Sequence, residues 1–231
     1  MTLADEKDAT SALDAKAHRP VTGIRPRDAA SIILIDCSGG TPKVLMGRRG
    51  SGHVFMPDVY VFPGGKRDAR DHALPFAADL DPAVMERLCL GPAAPIAPSR
   101  ARALALAAMR ELCEETGATF GGADGLPDLS RLRYVARAIT PPGNVRRYDT
   151  RFFLAFCQET PIDLTHLADT QELQDIRWLD IGALSGLKLP RITQTVLEDV
   201  SELMAAYPDL PFGTPVSFYL MRHGRFVRSR L

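Results

Sequence analysis

One long helical segment constrains the fold of this chain more than any other feature. The segment is rich in Ala and Leu, contains no glycine or proline, and is followed directly by a glycine. The pattern predicts a helix over Arg100–Thr116, with Ser99 as its N-cap and Gly117 as its left-handed C-cap. A fold for this chain must therefore bury the apolar face of this helix against other elements.

The last two turns of the predicted helix concentrate negative charge. Glu111, Glu114 and Glu115 fall at positions i, i+3 and i+4, so their carboxylates share one face. Each like-charge pair at this spacing destabilises a helix by about 0.2–0.5 kcal/mol, and the C-terminal end is unfavourable for anions. A divalent cation would remove the repulsion, and carboxylate oxygens favour Mg²⁺ or Mn²⁺. An acidic surface patch is the alternative interpretation of the three glutamates alone.

Hydrophobic patterning in the rest of the chain predicts strands that interleave with helices, and hence an α/β fold. Strands are predicted at Ala30–Asp36, Lys43–Arg48, Val59–Phe62, Leu132–Thr140, Thr150–Cys157, Ile176–Leu179 and Val216–Met221. Further helices are predicted at Pro82–Leu90 and Gln194–Ala206. Turn residues between the first two strands predict a hairpin.

Composition along the chain predicts one domain with two additions. Residues 1–25 are polar and Ala-rich, which is typical of a flexible N-terminal arm, and residues 26–231 form the domain. Within it, a proline-rich stretch at about 72–98 indicates an insertion. Its apolar side chains, such as Leu74, Phe76 and Ile96, could wall a pocket for an apolar group. They could equally serve core packing or a dimer contact.

Charge and cysteine usage exclude several function classes. Lys and Arg together number 28, as do Asp and Glu, so no overall field recruits nucleic acid or an anionic membrane. The apolar runs are too short for a membrane span, and the N-terminus lacks the apolar core of a signal peptide. The four cysteines are scattered without metal-binding spacing. These features predict a soluble cytoplasmic protein without a nucleic-acid or membrane partner.

A glycine loop precedes the acidic helix in the sequence Phe62-Pro63-Gly64-Gly65-Lys66-Arg67-Asp68-Ala69-Arg70-Asp71. Tandem glycines allow the backbone to approach another element closely and can expose a carbonyl as an oxygen ligand. Asp68 and Asp71 add two carboxylates just after the predicted strand.

Together, the loop and the acidic helix resemble the Nudix box, the signature of the Nudix hydrolases. Gly65 matches the first glycine of the box, and Arg110–Ala118 (RELCEETGA) matches its second half. Two features depart from the pattern. Asp71 stands where the first glutamate is expected, and 38 residues (72–109) stand in place of the usual seven.

The resemblance implies an α/β/α sandwich around a mixed β-sheet, and a catalytic site that uses Mg²⁺ (or Mn²⁺). By position, the implied metal ligands are Glu111, Glu114, Glu115 and the carbonyl of Gly64. Glu111 is also a candidate general base, and Arg110 would orient the glutamates through charge-assisted hydrogen bonds. The implied supports of the loop are Gly65, Asp68 and Asp71.

The implied reaction is hydrolysis of a nucleoside diphosphate linked to another group. The sequences Leu45–Gly50 (LMGRRG), Phe55–Pro57 (FMP), Tyr60–Gly65 (YVFPGG) and Arg147–Phe153 (RYDTRFF) look like the branch of coenzyme A and acyl-CoA diphosphatases. That branch would release 3′,5′-ADP and (acyl-)phosphopantetheine. Alternatives are a Nudix pyrophosphatase acting on ADP-ribose, a dinucleotide or a nucleoside triphosphate, and a Nudix module that binds a nucleotide without cleaving it.

Residues outside the box complete the predicted site. Candidates for binding phosphate groups are Arg48, Arg49, Arg146 and Arg147, each of which could instead be an ordinary surface arginine. Glu172 lies just before a predicted strand, where Nudix proteins often place another glutamate near the metals; a solvated turn residue is the alternative. Nudix relatives often dimerise, so a homodimer is a further expectation.

Overall fold

A mixed β-sheet forms the centre of the protein in a computed structural model that describes residues 23–50, 57–91, 95–120, 124–184 and 186–231. The arm predicted over residues 1–25 lies almost entirely outside the described residues, as do Phe55 and Met56 of the predicted branch motif. The strands are β1 (Arg27–Asp36), β2 (Lys43–Arg49), β3 (Tyr60–Val61), β4 (Gly64–Lys66), β5 (Thr119–Phe120), β6 (Arg133–Ile139), β7 (Tyr148–Phe156), β8 (Ile162–Asp163), β9 (Leu173–Asp180), β10 (Ser217–Arg222) and β11 (Arg225–Arg230). The helices are α1 (Pro82–Cys89), α2 (Pro98–Thr116), α3 (Arg191–Ala206) and a short 3₁₀ helix (Ala69–Ala73).

The sheet mixes parallel and antiparallel pairs. Its strands follow the order β11-β10-β6-β7-β1-β2-β3, while β4 pairs with β1 and β9 pairs with β2. The β1–β7 and β6–β10 pairs are parallel, and the other pairs in this sheet are antiparallel. Strands β5 and β8 form a separate short ladder.

Alternating side chains of β1 serve two hydrophobic cores, one on each face of the sheet. Ile32 and Leu34 join the core under α1 and α2, whereas Ile33 and Ile35 join the core under α3. The α/β/α layering and mixed sheet predicted from the sequence are therefore confirmed.

The sheet opens at the start of β1, where the candidate site lies. Strand β2 pairs with β1 only at the C-terminal end of β1, at Ile35 and Asp36. Nearer the N-terminal end of β1, its neighbour is instead β4, with Ser31 opposite Gly64. The change of partner brings the glycine loop against the end of α2, which contacts β4.

Helix α2 begins at Pro98, two residues before the predicted start at Arg100. Its N-cap is Ala97, which makes no side-chain capping bond, so the prediction of Ser99 as N-cap was wrong. Pro98 occupies the first turn, where its fixed φ suits a helix and its missing N–H is not needed. The C-cap prediction is confirmed, because Gly117 has a φ of 75°.

Other differences from the predicted elements concern polar or short segments. The glycine loop is itself a strand, β4, and the predicted last strand is followed by the exposed strand β11. The predicted helix in the insertion is confirmed as α1, with Asp81 as its N-cap. No helix in the described part of the chain is long and apolar enough to cross a membrane.

Candidate active site

A cavity of about 700 Å³ lies against the sheet where it opens at β1. The acidic residues that line it are Glu111, Glu115 and Glu172. The strand pairing that brings β4 onto β1 also brings Gly64 and Gly65 into its wall. The cavity therefore brings together the glycine loop and the acidic helix, where Gly65 and Glu111 are 46 positions apart in the sequence.

Glu115 is buried at the end of α2, where its carboxylate is held by the glycine loop. The backbone N–H of Gly64 donates to its Oε2 at 2.8 Å. Burial raises the pKa of Glu115 to about 8, while the Gly64 N–H and the charge of Arg49 act against the rise. An added Cβ at Gly64 would lie 2.6 Å from the carbonyl oxygen of Ala30, so only glycine permits this approach.

Glu111 sits one helical turn earlier and faces the second glycine of the loop. A Cβ added at Gly65 would lie 2.5 Å from the Glu111 carboxyl carbon, so the carboxylate occupies the space that the missing side chain leaves. Burial also raises the pKa of Glu111, an effect that Arg110 opposes. Nearby Glu114 and Glu172 add to the rise.

Arg110 links the acidic helix to the loop through a set of ion pairs. Its Nε donates to Oδ1 of the fully buried Asp71 at 2.8 Å. Its NH1 group donates to Glu111 at 2.8 Å and to Glu114 at 2.9 Å. The guanidinium therefore holds two glutamates at once, in the arrangement that the resemblance implied.

Asp68 and Asp71 fix the loop as a reciprocal capping box. Asp68 accepts a hydrogen bond from the backbone N–H of Arg70 and caps the 3₁₀ helix. The carboxylate of Asp71 in turn accepts the backbone N–H of Asp68 at 2.6 Å. Asp71 thus supports both the loop backbone and Arg110, and it does not line the cavity.

Glu114 differs from the other two glutamates of the helix. Its side chain is 51% exposed, pairs with Arg110 and with Arg70, and is not among the residues that line the cavity. Its role as a metal ligand therefore stays a prediction from the resemblance.

Glu172 reaches the cavity from the turn before β9. The turn is attached to the end of α2, because Thr170 Oγ1 donates to the Glu115 carbonyl at 3.2 Å and accepts the N–H of Leu173. The carbonyl of Glu172 also accepts the N–H of Gly50. This turn brings a third carboxylate, 57 positions further along the chain, to the cavity of Glu115.

The four predicted phosphate-binding arginines separate into two pairs. Arg49 and Arg146 line the cavity. Arg48 instead pairs with the exposed Asp58, and Arg147 donates to the carbonyls of Thr140 and Ile24. Arg48 and Arg147 do not line the cavity, and a phosphate-binding role for them stays a prediction.

The insertion at about 72–98 does not wall this cavity in its described residues. Leu74, Phe76 and Ile96 pack against the core under α1 and α2. Of the roles that the sequence left open, the structure supports core packing.

The donor set suits a hard divalent cation in its chemistry, although no group of three or more His, Cys, Asp or Glu side chains in the described ranges is placed to hold a metal ion. The lining carboxylates are oxygen donors, and two of them are buried enough that their charge needs a partner.

Comparisons with known proteins identify the fold. The chain is 30% identical over 183 residues to the Caenorhabditis elegans protein "Putative nudix hydrolase 7", a match that covers 67% of this chain. Its structure is similar to that of a NUDIX hydrolase from Alicyclobacillus acidocaldarius, with a TM-score of 0.58 and 25% identity over 80% of this chain and 93% of that one. The chain has the fold of a Nudix hydrolase.

Two further findings qualify the comparison. The chain spans about half the length of the curated relative that it matches, 51%. No family model matches the sequence. The stretched and altered Nudix box is the feature that distinguishes this chain from the usual pattern.

Sequence reasoning missed several residues that line the cavity. They come from strands, from the loop before β7 and from the start of α3, and include Ser31, Asn144, Arg191 and Tyr219. No local motif marks them, because they meet only after the sheet has assembled.

Proposed function

We propose that this protein hydrolyses a diphosphate bond in a nucleoside diphosphate linked to another group, with Mg²⁺ (or Mn²⁺) as cofactor. The observation that carries the proposal is the convergence of Glu111, Glu115 and Glu172 with Arg49 and Arg146 around one cavity. Carboxylates are suited to a metal and to activating water, and arginines are suited to phosphate oxygens. A cavity that holds both carboxylates and arginines is therefore suited to the hydrolysis of a phosphoanhydride bond.

Coenzyme A or acyl-CoA is the substrate that we propose. The sequence resemblance to that branch supports it, as does a cavity large enough for a substrate with several parts. Water would cleave the diphosphate into two phosphate monoesters, 3′,5′-ADP and (acyl-)phosphopantetheine, with release of a proton. We place this activity in the cytoplasm, and a homodimer remains part of the proposal.

Each of these residues would have a separate role in the reaction. Arg49 and Arg146 would bind phosphate oxygens, and Arg110 would keep Glu111 and Glu114 oriented. Glu111 or Glu172 would accept the proton of the attacking water. The Gly64 N–H would position Glu115, and Asp71 would hold Arg110.

A bound divalent cation would be held by Glu111 and Glu115, with Glu114 and the Gly64 carbonyl as the further ligands that the resemblance implies. It would supply charge neutralisation of the diphosphate and a lower pKa for the attacking water.

The test is Mg²⁺-dependent product formation, resolved by chromatography, across coenzyme A, acyl-CoA, ADP-ribose, NADH and nucleoside triphosphates. We expect 3′,5′-ADP from the CoA substrates, at least tenfold faster than turnover of the others. In Glu111→Gln, removal of one carboxylate from the cavity should lower the rate by about 10²–10⁴-fold, the range of a lost general base.

Glu86→Gln is the matched control, because Glu86 is an exposed glutamate of α1 that does not line the cavity. It should keep the native rate. Turnover of ADP-ribose or a triphosphate alone would retain the chemistry and reject coenzyme A, whereas a fully active Glu111→Gln would reject the site.

A further inference from the structure

The cavity extends well beyond the carboxylates, along one face of the sheet. Its lining residues come from β1, β7, β6, β10 and β11, which are consecutive in the sheet. Four inter-strand steps separate β1 from β11, which is roughly 19 Å at about 4.8 Å per step. The cavity is therefore elongated, and its far end is a place distinct from the site of hydrolysis.

Small side chains form the floor between the two ends. Ala29, Thr150 and Ala138 are register neighbours on three consecutive strands, and all of them line the cavity. The next residue in the same row is Tyr219 of β10, where the small side chains end. This row leaves a continuous path from the carboxylates toward the C-terminal strand pair.

Three apolar side chains lie at the far end, beside the guanidinium of Arg191. Met221 and Phe226 are register partners on β10 and β11, and Ile192 of α3 completes this part of the lining. The acidic residues among the described lining residues all lie on α2 or on the turn before β9. A substrate group at the far end would therefore meet apolar side chains and the guanidinium of Arg191, and no carboxylate of the described lining residues.

The Phe226 ring at this end already has two neighbours. Tyr219 stacks on Phe226 with ring centroids 5.9 Å apart and an interplanar angle of 14°. The guanidinium of Arg191 lies over the Phe226 ring, 5.7 Å from its centroid. These contacts disfavour stacking of a planar base, whereas the unbranched side chain of Met221 can adapt to a flexible chain.

We propose that Ile192, Met221 and Phe226 form a subsite for a flexible aliphatic chain carried by the substrate. That the aliphatic chain is joined to a diphosphate rests on the function proposed above. The binding of an aliphatic chain at this end of the cavity does not depend on that function. The C-terminal strand pair, and not the insertion at about 72–98, then determines preference for the group beyond the diphosphate.

Binding without turnover tests the subsite. Calorimetry in EDTA would compare butanoyl-CoA with octanoyl-CoA, which differ by four methylene groups. We expect octanoyl-CoA to bind about tenfold more tightly or better, since each fully buried methylene contributes about 0.8 kcal/mol and this end is partly open to solvent. In Met221→Ser the preference should fall below about threefold, because the apolar surface is reduced.

Leu220→Ser is the matched control. Leu220 is the neighbouring half-buried residue of β10, on the opposite face of the strand, and it does not line the cavity. This variant should keep the native chain-length preference. A second variant, Met221→Trp, fills the subsite and should weaken octanoyl-CoA binding while leaving the affinity for coenzyme A unchanged.

The outcomes separate the two proposals. Native protein that prefers the longer chain in EDTA but hydrolyses no CoA substrate would support the subsite and reject the proposed function. Hydrolysis of CoA substrates with no chain-length preference in binding would support the proposed function and reject the subsite. The subsite is also overturned if Leu220→Ser and Met221→Ser lose the preference equally, or if neither loses it.

Discussion

At the scale of single residues, the contact between Gly65 and Glu111 links backbone geometry to chemistry. In Gly65→Ala the new Cβ would meet the Glu111 carboxylate, which is the movable end of a flexible side chain. We therefore expect the free energy of unfolding to change by less than about 1 kcal/mol, as for other tolerated Gly→Ala changes. Displacement of the carboxylate by about 1 Å should lower kcat by about 100-fold.

Gly39→Ala provides the control for that prediction. Gly39 lies in the hairpin turn between β1 and β2, where an added Cβ has no other atom within 4 Å. Its kcat should match the native value in the same assay. Urea unfolding of both variants would establish whether Gly65→Ala acts on the site; a large loss of stability in that variant would contradict a local effect.

The same residues show what the sequence could and could not predict. Glu111, Glu115 and Gly64 lie within two short segments whose patterns are local, so their meeting at one site was predictable from the resemblance. Arg146 and Arg147 are adjacent in sequence and equal in charge. In the folded structure Arg146 lines the cavity, whereas Arg147 donates to backbone carbonyls. No pattern of residue types in the sequence predicts this difference.

At the scale of elements, a buried ionic cluster fastens α2 to the sheet. Asp28 of β1 accepts hydrogen bonds from Arg100 of α2 at 2.7 and 2.9 Å, and from Arg151 of β7 at 3.2 Å. Arg67 donates to the same carboxylate at 3.2 Å. Since α2 carries Glu111 and Glu115 of the candidate site, this cluster fixes the position of those residues relative to β1.

Asp28→Asn should destabilise the protein by about 2–3 kcal/mol, because Arg67 and Arg100 lose a shared carboxylate and the buried Arg151 keeps only Asp149 as a countercharge. Equilibrium unfolding in urea would measure the loss. In Asp58→Asn, which breaks the exposed pair with Arg48, the loss should stay below about 1 kcal/mol. Equal losses in the two variants would contradict the structural role of Asp28.

The effect of Asp28 should also depend on pH. Burial alone would raise its pKa, but hydrogen bonds from Arg100 and the charge of Arg151 outweigh burial and hold the pKa below 3.8. A depressed native pKa contributes stability above the unfolded value, and this contribution is lost as the pH falls through the native value. The difference between native protein and Asp28→Asn should therefore shrink as the pH falls below 3.8.

Elements with a strong apolar pattern were predicted within a few residues, whereas polar ones were not. Strand β1 is a continuous buried β-branched run and was recognised directly. Strand β11 (RFVRSR) is an exposed edge strand without a core face, so hydrophobicity gave no signal for it. Strand β4 was missed because two of its three residues are glycines, which are typical of turns.

At the scale of the whole molecule, the candidate site depends on three separate parts of the chain that meet only in the folded state. Helix α2 supplies Glu111 and Glu115, strand β4 supplies Gly64, and the turn before β9 supplies Glu172. A ligand that binds this site binds the native state and not the unfolded chain. Its binding free energy must therefore add to the stability of the whole domain.

Mg²⁺ should accordingly raise the melting temperature. At a free concentration about 100 times Kd, binding adds about 2.7 kcal/mol, which corresponds to a rise of roughly 5–11 °C in a domain of this size. Differential scanning calorimetry with K⁺ at equal ionic strength as control would measure it. In Glu111→Gln the rise should shrink to a few degrees or less, because one carboxylate of the site is neutral. An equal rise in the variant would mean that Mg²⁺ stabilises the protein elsewhere, and would remove these carboxylates from the proposed metal site.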